Sequence, residues 1–342
     1  MDPINFSPLL TRTNYTPSDY RTSYVQSYHF TVQRELARNL VLDVAYVGNK
    51  STGLMILGDF NQARPLNAGE SASLLSRRPI TGFDAIQVSY GGGFANYSSL
   101  QAKIEKRYAN GFYFLNSFTW SKAIDNAGGH LETFNGDNSR INYRNLASEK
   151  GQGSYNQPLN NTTSFVYELP FGKGRRFGSS ANGFMEAVFG GWRASGIHIA
   201  QSGQPVNLSY TLPAAAQVSG YPTYRPNYLG GDIYASERSN QRYLNAAAFA
   251  APPTNQPFGT LGRNVGRSEA IFQFDGGLHK AFSLPVENMK LEFRSEFFNL
   301  FNTTNWGGPN ANISNANFGT ITSYAYPAIP ARQIQFALRL SF

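Results

Sequence analysis

The stretch ARQIQFALRLSF, residues 331–342, alternates without a break. Successive side chains of a β-strand point to opposite faces, so Ile334, Phe336, Leu338, Leu340 and Phe342 share one side, and Gln333, Gln335, Ala337, Arg339 and Ser341 the other. The pattern recurs along the chain. Met289, Leu291, Phe293, Phe297 and Phe301 oppose Lys290, Glu292, Arg294 and Glu296, while Phe272, Phe274, Leu278 and Phe282 oppose Gln273, Asp275 and His279. Phe112, Phe114, Phe118 and Trp120 oppose Ser117, Thr119 and Ser121, and Tyr28, Phe30 and Val32 oppose His29, Thr31 and Gln33. Leu100 and Ile104 oppose Gln101, Lys103, Glu105 and Arg107. Two-faced strands of this kind build either a soluble sandwich, whose apolar sides meet inside, or a membrane barrel, whose apolar sides look out at lipid.

Spacing separates the two. The strands run to about ten residues or more, the length a tilted strand needs to cross the hydrocarbon. Tight links at 34–39, 108–111 and 282–289 alternate with long ones at 48–95, 122–160, 201–268 and 302–332. In an antiparallel meander alternate connections lie at the same end, so one end carries short turns and the other long loops, as in outer-membrane barrels. The expected fold is an all-β, antiparallel transmembrane barrel of roughly nine spanning strands, with short periplasmic turns and long extracellular loops. Such a count leaves the barrel incomplete, because an open sheet exposes backbone groups that lipid cannot satisfy. Residues 1–20 read as an extracellular loop remnant and 21–342 as the C-terminal part of a barrel whose earlier strands are missing. The segment DAIQVSY, residues 84–90, reads as a loop-side extension of a hairpin.

Composition fits a strand-rich, turn-rich chain: 26 Phe, 20 Tyr and 33 Gly, with 15% charged residues, against roughly a quarter in an average soluble domain. No apolar run reaches the length of a transmembrane helix, and a barrel would not show one. Zero cysteines exclude disulfides and thiolate chemistry. The formal charge is +8, yet the basic residues are scattered and their one cluster, Lys173-Gly174-Arg175-Arg176, lies in a glycine-rich turn. No nucleic-acid partner is expected.

Several blocks carry a family resemblance: RTSYVQSYHFTVQRELARNLVLDVAYVGNKSTGL, NYSSLQAKIEKRYANGFYFLNSFTWSKAIDNAGG, VYELPFGKGRRFG, GGWRASGIHIAQSGQPV, LEFRSEFFNLFNTTNW and the final ARQIQFALRLSF. In order and spacing they resemble the C-terminal barrel of Oar-like TonB-dependent receptors. Before VYELPFG the chain departs from that pattern, with NQPLNNTTS where a basic, His-containing run is expected. The resemblance implies a barrel of about 22 strands in the bacterial outer membrane, with a carboxypeptidase-regulatory-like domain and a plug upstream. It also implies energised uptake of a ligand through the TonB system, reached by the missing N-terminal part. A terminal strand recognised by the outer-membrane assembly machinery follows as well, with Phe342, Leu340 and Leu338 as the signal. A structural or adhesive surface protein without transport, and a soluble β-rich binding module, remain open.

Enzymatic patterns are poor. The 4 His residues, at 29, 130, 198 and 279, are dispersed, and no convergent acid, base and nucleophile pattern is present, so neither catalysis nor a cofactor or metal is expected. FGKGRRFG lacks the spacing of a phosphate loop. The charged positions Lys103, Glu105, Arg107, Lys290, Glu292, Arg294 and Glu296 are candidate lumen-lining residues. Alternating signs suit a cross-strand ion-pair ladder that solvates the wall better than a substrate route. Tyr108, Tyr113, Trp120 and Trp192 near strand ends are candidates for an interfacial girdle. The loop at 125–140 has oxygen ligands but not the order of a calcium loop. The tyrosine-rich loop at 201–268 could grip an external ligand or fold over the barrel mouth.

Overall fold

The computed structural model describes residues 13–128, 133–134, 137–138, 142–180, 182–218, 223–284, 289–325 and 330–342. Within these, nine strands follow one another as a meander, each hydrogen-bonded to the next in chain order. They are β1 (Tyr24–Ala37), β2 (Leu40–Asp59), β3 (Ile86–Ala109), β4 (Phe112–Asp125), β5 (Leu159–Glu168), β6 (Trp192–Gln201), β7 (Ile271–Ser283), β8 (Lys290–Phe298) and β9 (Gln333–Ser341). Every neighbouring pair is antiparallel. The sheet is open, with β1 and β9 at its edges.

The expected alternation of connections holds. β3 and β4 are joined by Asn110 and Gly111 alone, with Ala109 opposite Phe112. Both turn residues have positive φ, 53° and 76°, which is the primed two-residue turn that matches the twist of a hairpin. β1 and β2 turn through Arg38 and Asn39, again with a left-handed Asn (φ 64°). β9 ends at this same side, since Ser341 pairs with Lys290 at the start of β8. The turn from β5 to β6 is longer and holds α1 (Gly183–Phe189), whose first turn is capped by the Asn182 side chain accepting from the Met185 N–H at 2.9 Å.

Two boundaries move. β2 continues to Asp59 and β3 begins at Ile86, so residues 87–90 pair with 56–59 as an extension of the main sheet. The segment at 84–90 is therefore the hairpin extension expected, and the loop between these strands shrinks to residues 60–85. Within the span expected as an N-terminal loop, Thr13–Tyr15 pairs in parallel with Ile86–Val88.

Burial is inverted relative to a soluble domain. The large apolar side chains of the sheet stay uncovered: Phe30 is 70% exposed, Trp120 60%, Phe336 68% and Leu338 71%. The buried apolar clusters lie instead in the long connections. One gathers Leu208, Tyr243, Leu244, Phe249, Leu261 and Ile321, and the other Ala63, Leu66, Leu212, Val218 and Tyr224. Each fully buried aliphatic contributes about 1.5–3 kcal/mol, so the long loops form a packed cap over one end of the sheet.

Gly111→Val puts a β-branched residue at φ 76° and a Cβ 3.0 Å from that of Glu168. A left-handed L-residue costs about 1–2 kcal/mol, so the urea midpoint of the bilayer-inserted protein, read by tryptophan fluorescence, should fall. Asn39→Gly, at a position equally suited to glycine, should leave it within a few tenths of a kcal/mol.

Candidate functional site: the two faces of the sheet and the loop cap

Register assigns each strand residue to a face. From β1 to β7 one row runs Gln33, Asp43, Lys103, Ser117, Thr162, Ile199 and Gln273. A second runs Glu168, Arg193, His279, Arg294 and Ala337. Both lie on one side of the sheet, together with Glu105, Glu292 and Glu296. That side carries the sheet's charged rows from edge to edge, with Ile197 and Ile199 on β6 as its main apolar break.

The charged residues there form separate clusters rather than one site. Lys103 reaches Asp43 on β2 at 3.3 Å and Glu105 at 3.4 Å. Five strands along, on β8, Glu292 pairs with Arg294 at 2.8 Å and faces Arg193 on β6 at 3.8 Å. Exposed pairs such as these contribute little stability, and their signs cancel locally. Glu296 lines a shallow recess of about 440 Å³ with Tyr113, Val166, Asp275 and a Ser195–His279 contact of 3.3 Å. Lys290 sits at the start of β8 opposite Ser341. Arg107 lies in the bulge before the β3–β4 turn, exposed, its backbone N–H donating to the Asn39 carbonyl at 2.8 Å.

The four aromatics expected as a girdle divide. Trp120 and Trp192 stand on the apolar side; Trp192 packs edge-on against Phe293, which stacks on Phe336. Tyr113 is on the polar side, in register with Val166 and so with Ser195. Tyr108 follows a register shift after Lys106, and its hydroxyl donates to the Glu168 carboxylate. Bulges re-aim side chains, which takes Tyr108 out of the apolar row. At the terminus, Leu338, Leu340 and Phe342 are 71%, 50% and 96% exposed.

Irregular loops must satisfy their backbone carbonyls without a ladder, and arginine, with several donors in a fixed fork, is suited to the task. Arg78, 1% exposed, pairs with Asp59 at 2.8 Å and Asp84 at 2.9 Å and donates to the Asn61 carbonyl. Arg77 holds the carbonyls of Arg64, Ala215 and Gln217. Arg225 pairs with Glu149 at 2.9 Å. Arg263 pairs with Asp125 and holds the carbonyls of Glu149 and Gln152, and burial lowers its pKa to about 10. Arg267 binds the carbonyls of Asn156 and Gly203 and the Gln152 side chain. Arg225, Arg263 and Arg267 clamp the β4–β5 connection to the β6–β7 connection, Arg77 ties the β2–β3 connection to the β6–β7 connection, and Arg78 closes the β2–β3 connection on itself. The sequence shows none of the links between connections, because those partners are distant in the chain.

The tyrosines of the β6–β7 connection serve the cap. Tyr224 and Tyr243 are buried in its cores, Tyr234 packs edge-on against Tyr243, and Tyr228 donates to the Gly231 carbonyl. Tyr221 lies outside the described residues. So does half of the oxygen-rich loop at 125–140, where Asp125 is engaged by Arg263.

A meander with one polar side and one uncovered apolar side, tight turns at one end and long loops at the other, is the wall of a membrane-spanning β-barrel. The sequence matches the family model of the outer membrane beta barrel domain over residues 2–335, and the chain belongs to that family. It is thus a protein of the bacterial outer membrane. Among solved structures it is similar to the outer membrane transporter YddB from Escherichia coli, at 12% identity and a TM-score of 0.47, covering 96% of this chain and 34% of that one. It is also similar to FpvA of P. aeruginosa bound to a heterologous pyoverdine, at 11% identity and a TM-score of 0.42, covering 94% of this chain and 28% of that one. The chain thus spans about a third of the length of those proteins. No curated protein matches it.

Arg263→Ala removes a buried pair and orphans loop carbonyls, a change that costs about 3–5 kcal/mol. Limited proteolysis should then cut within residues 142–158 and 202–218 while heat-modifiable migration of the barrel is retained; Arg64→Ala, whose pair with Glu70 is exposed, should not open these loops. Glu70 accepts from both Arg64 nitrogens and from the Asn67 N–H, which pull its carboxyl from 4.5 down to about 2. A depressed carboxylate stabilises the fold above its unfolded pKa and loses that contribution as pH falls through the folded value. The protease resistance of the wild-type 64–70 turn relative to Glu70→Gln should therefore be full above pH 4.5 and vanish as pH falls toward 2.

Proposed function

We propose that this chain is the C-terminal barrel portion of an Oar-like TonB-dependent receptor and serves energised uptake of a ligand as part of a larger closed barrel. The observation that carries the proposal is the predominantly polar side, which extends over the nine strands and ends at two bare edges. A row of carboxylates, guanidinium groups, hydroxyls and amides facing water is what a lumen requires, and bare edges in lipid require further strands. The ordered sequence blocks from residue 21 to the final strand favour the receptor family over other barrels. In this reading the polar side faces a plug supplied upstream, and the TonB system acts through that plug. The chain performs no chemistry of its own. The terminal apolar row Leu338, Leu340 and Phe342 is the surface the assembly machinery takes hold of.

Uptake is tested in cells carrying or lacking the complete natural gene, each with and without the TonB energy source. Mass spectrometry of a defined peptide and siderophore mixture in the medium should show components depleted only when both gene and energy source are present. Depletion independent of the energy source, or none alongside gene-dependent adhesion to surfaces, would replace transport with a structural role. Deleting Phe342 should lower the assembled, heat-modifiable fraction several-fold while leaving total synthesis unchanged; an unchanged assembled fraction would remove the signal from the terminus.

A further inference from the structure

The short-turn end carries one feature that a barrel wall does not need. The connection between β5 and β6 folds into α1, and none of the residues of α1 is buried. Phe184 is 74% exposed, Phe189 55%, Met185 44% and Val188 40%. At 100° per residue these positions form a single stripe, with Gly183, Glu186 and Ala187 on the opposite side. A helix of a soluble domain turns such a stripe inward. Here the other side meets the protein: the Glu186 carboxylate accepts the Lys173 N–H, and the helix is seated by its backbone.

Its seat is on the apolar side of the sheet. Lys280 lies opposite Trp192 in the ladder, is 4% exposed, and donates to the carbonyls of Glu186 and Ala187 at 3.0 and 2.7 Å. Trp192 donates its indole N–H to the Val188 carbonyl at 2.8 Å, and the Lys280 ammonium lies 5.4 Å from the Trp192 ring centre. A cation among apolar neighbours is costly unless paired, and carbonyls of the last helical turn supply its partners. Trp192 then continues through Phe293 to Phe336 along the side that faces lipid. Beside the helix, Lys173 and Arg176 are exposed, the Arg176 guanidinium 5.4 Å from the Phe177 ring centre.

We propose that α1 is an in-plane membrane foot. Its stripe Phe184, Met185, Val188 and Phe189 enters the acyl boundary of the leaflet at the short-turn end, and Lys173 and Arg176 meet anionic phospholipid headgroups there. Continuity with the lipid-facing row selects the bilayer as occupant, and an interfacial helix with apolar residues on one side and flanking cations is suited to it.

This chain has no cysteine, so once any cysteine elsewhere in the complete protein is replaced by serine, a single label can be placed. The complete protein carrying Phe184→Cys or Val188→Cys, each labelled with an environment-sensitive fluorophore, is placed in phosphatidylcholine vesicles with and without phosphatidylglycerol. Heat-modifiable migration selects the variant that assembles. Emission should shift to the blue and be quenched several-fold more by shallow lipid-borne nitroxide than by aqueous iodide. Adding phosphatidylglycerol should strengthen lipid quenching, and Lys173→Ala with Arg176→Ala should abolish that gain. Quenching by iodide would overturn the foot by placing the stripe in water. Protection from both quenchers would overturn it by placing the stripe under protein, and indifference to phosphatidylglycerol would overturn the anionic contact.

Discussion

Hydrocarbon offers no hydrogen bonds, so a chain that crosses it must pair every backbone group internally. The register from Tyr24 to Ser341 is the answer to that constraint. Once the ladder is fixed, alternation does the rest: each residue faces either lipid or water, and the side chain need only match its side. This is why a sheet with exposed Phe336 and Leu338 can carry Arg193, Glu292 and Arg294 on the reverse without a conventional core. The constraint also makes the open edges of β1 and β9 consequential. Their outward backbone groups have the same need as those of the inner strands.

Beyond the membrane the constraint is relaxed but not removed. The long connections have few ladders of their own, so their carbonyls fall to side chains. Arg77, Arg78, Arg225, Arg263 and Arg267 take this role among buried apolar groups such as Leu208, Val218 and Tyr243. Stability therefore resides in two chemically different places: backbone pairing in the sheet, and apolar packing with guanidinium clamps in the cap. A change in one need not propagate to the other.

Much of the sheet was legible in the sequence because its signals are local. Alternation names the faces, Asn110-Gly111 names a turn, and the alternation of tight and long links names the ends. Tyr113 was legible too, since its neighbours Phe112 and Phe114 belong to the apolar row and period two then assigns it to the other side. Its aromatic ring argued for a girdle, and the register overrode that. Tyr108 was not legible, because the bulge that re-aims it leaves no mark in the alternation. Nor was α1: residues 183–189 are too short for a periodic signal, and the stripe faces outward, where hydrophobicity read as core would place it inside. The arginine clamps are non-local, joining positions up to 140 residues apart in the chain, and no spacing rule reaches them.

The same clamps show where part of the chain's positive charge is held. Arg78 is consumed by Asp59 and Asp84, Arg225 by Glu149 and Arg263 by Asp125, while Arg77 and Arg267 are spent largely on carbonyls. On the polar side Lys103 and Arg294 have carboxylate partners. An arginine paired with a carboxylate cancels in the formal total, whereas one buried against carbonyls raises that total without placing its charge at the surface. Lys173 and Arg176, exposed in the turn that leads to α1, differ in this respect. A cation there is close to where headgroups of the near leaflet lie, so position rather than total charge decides what it can meet.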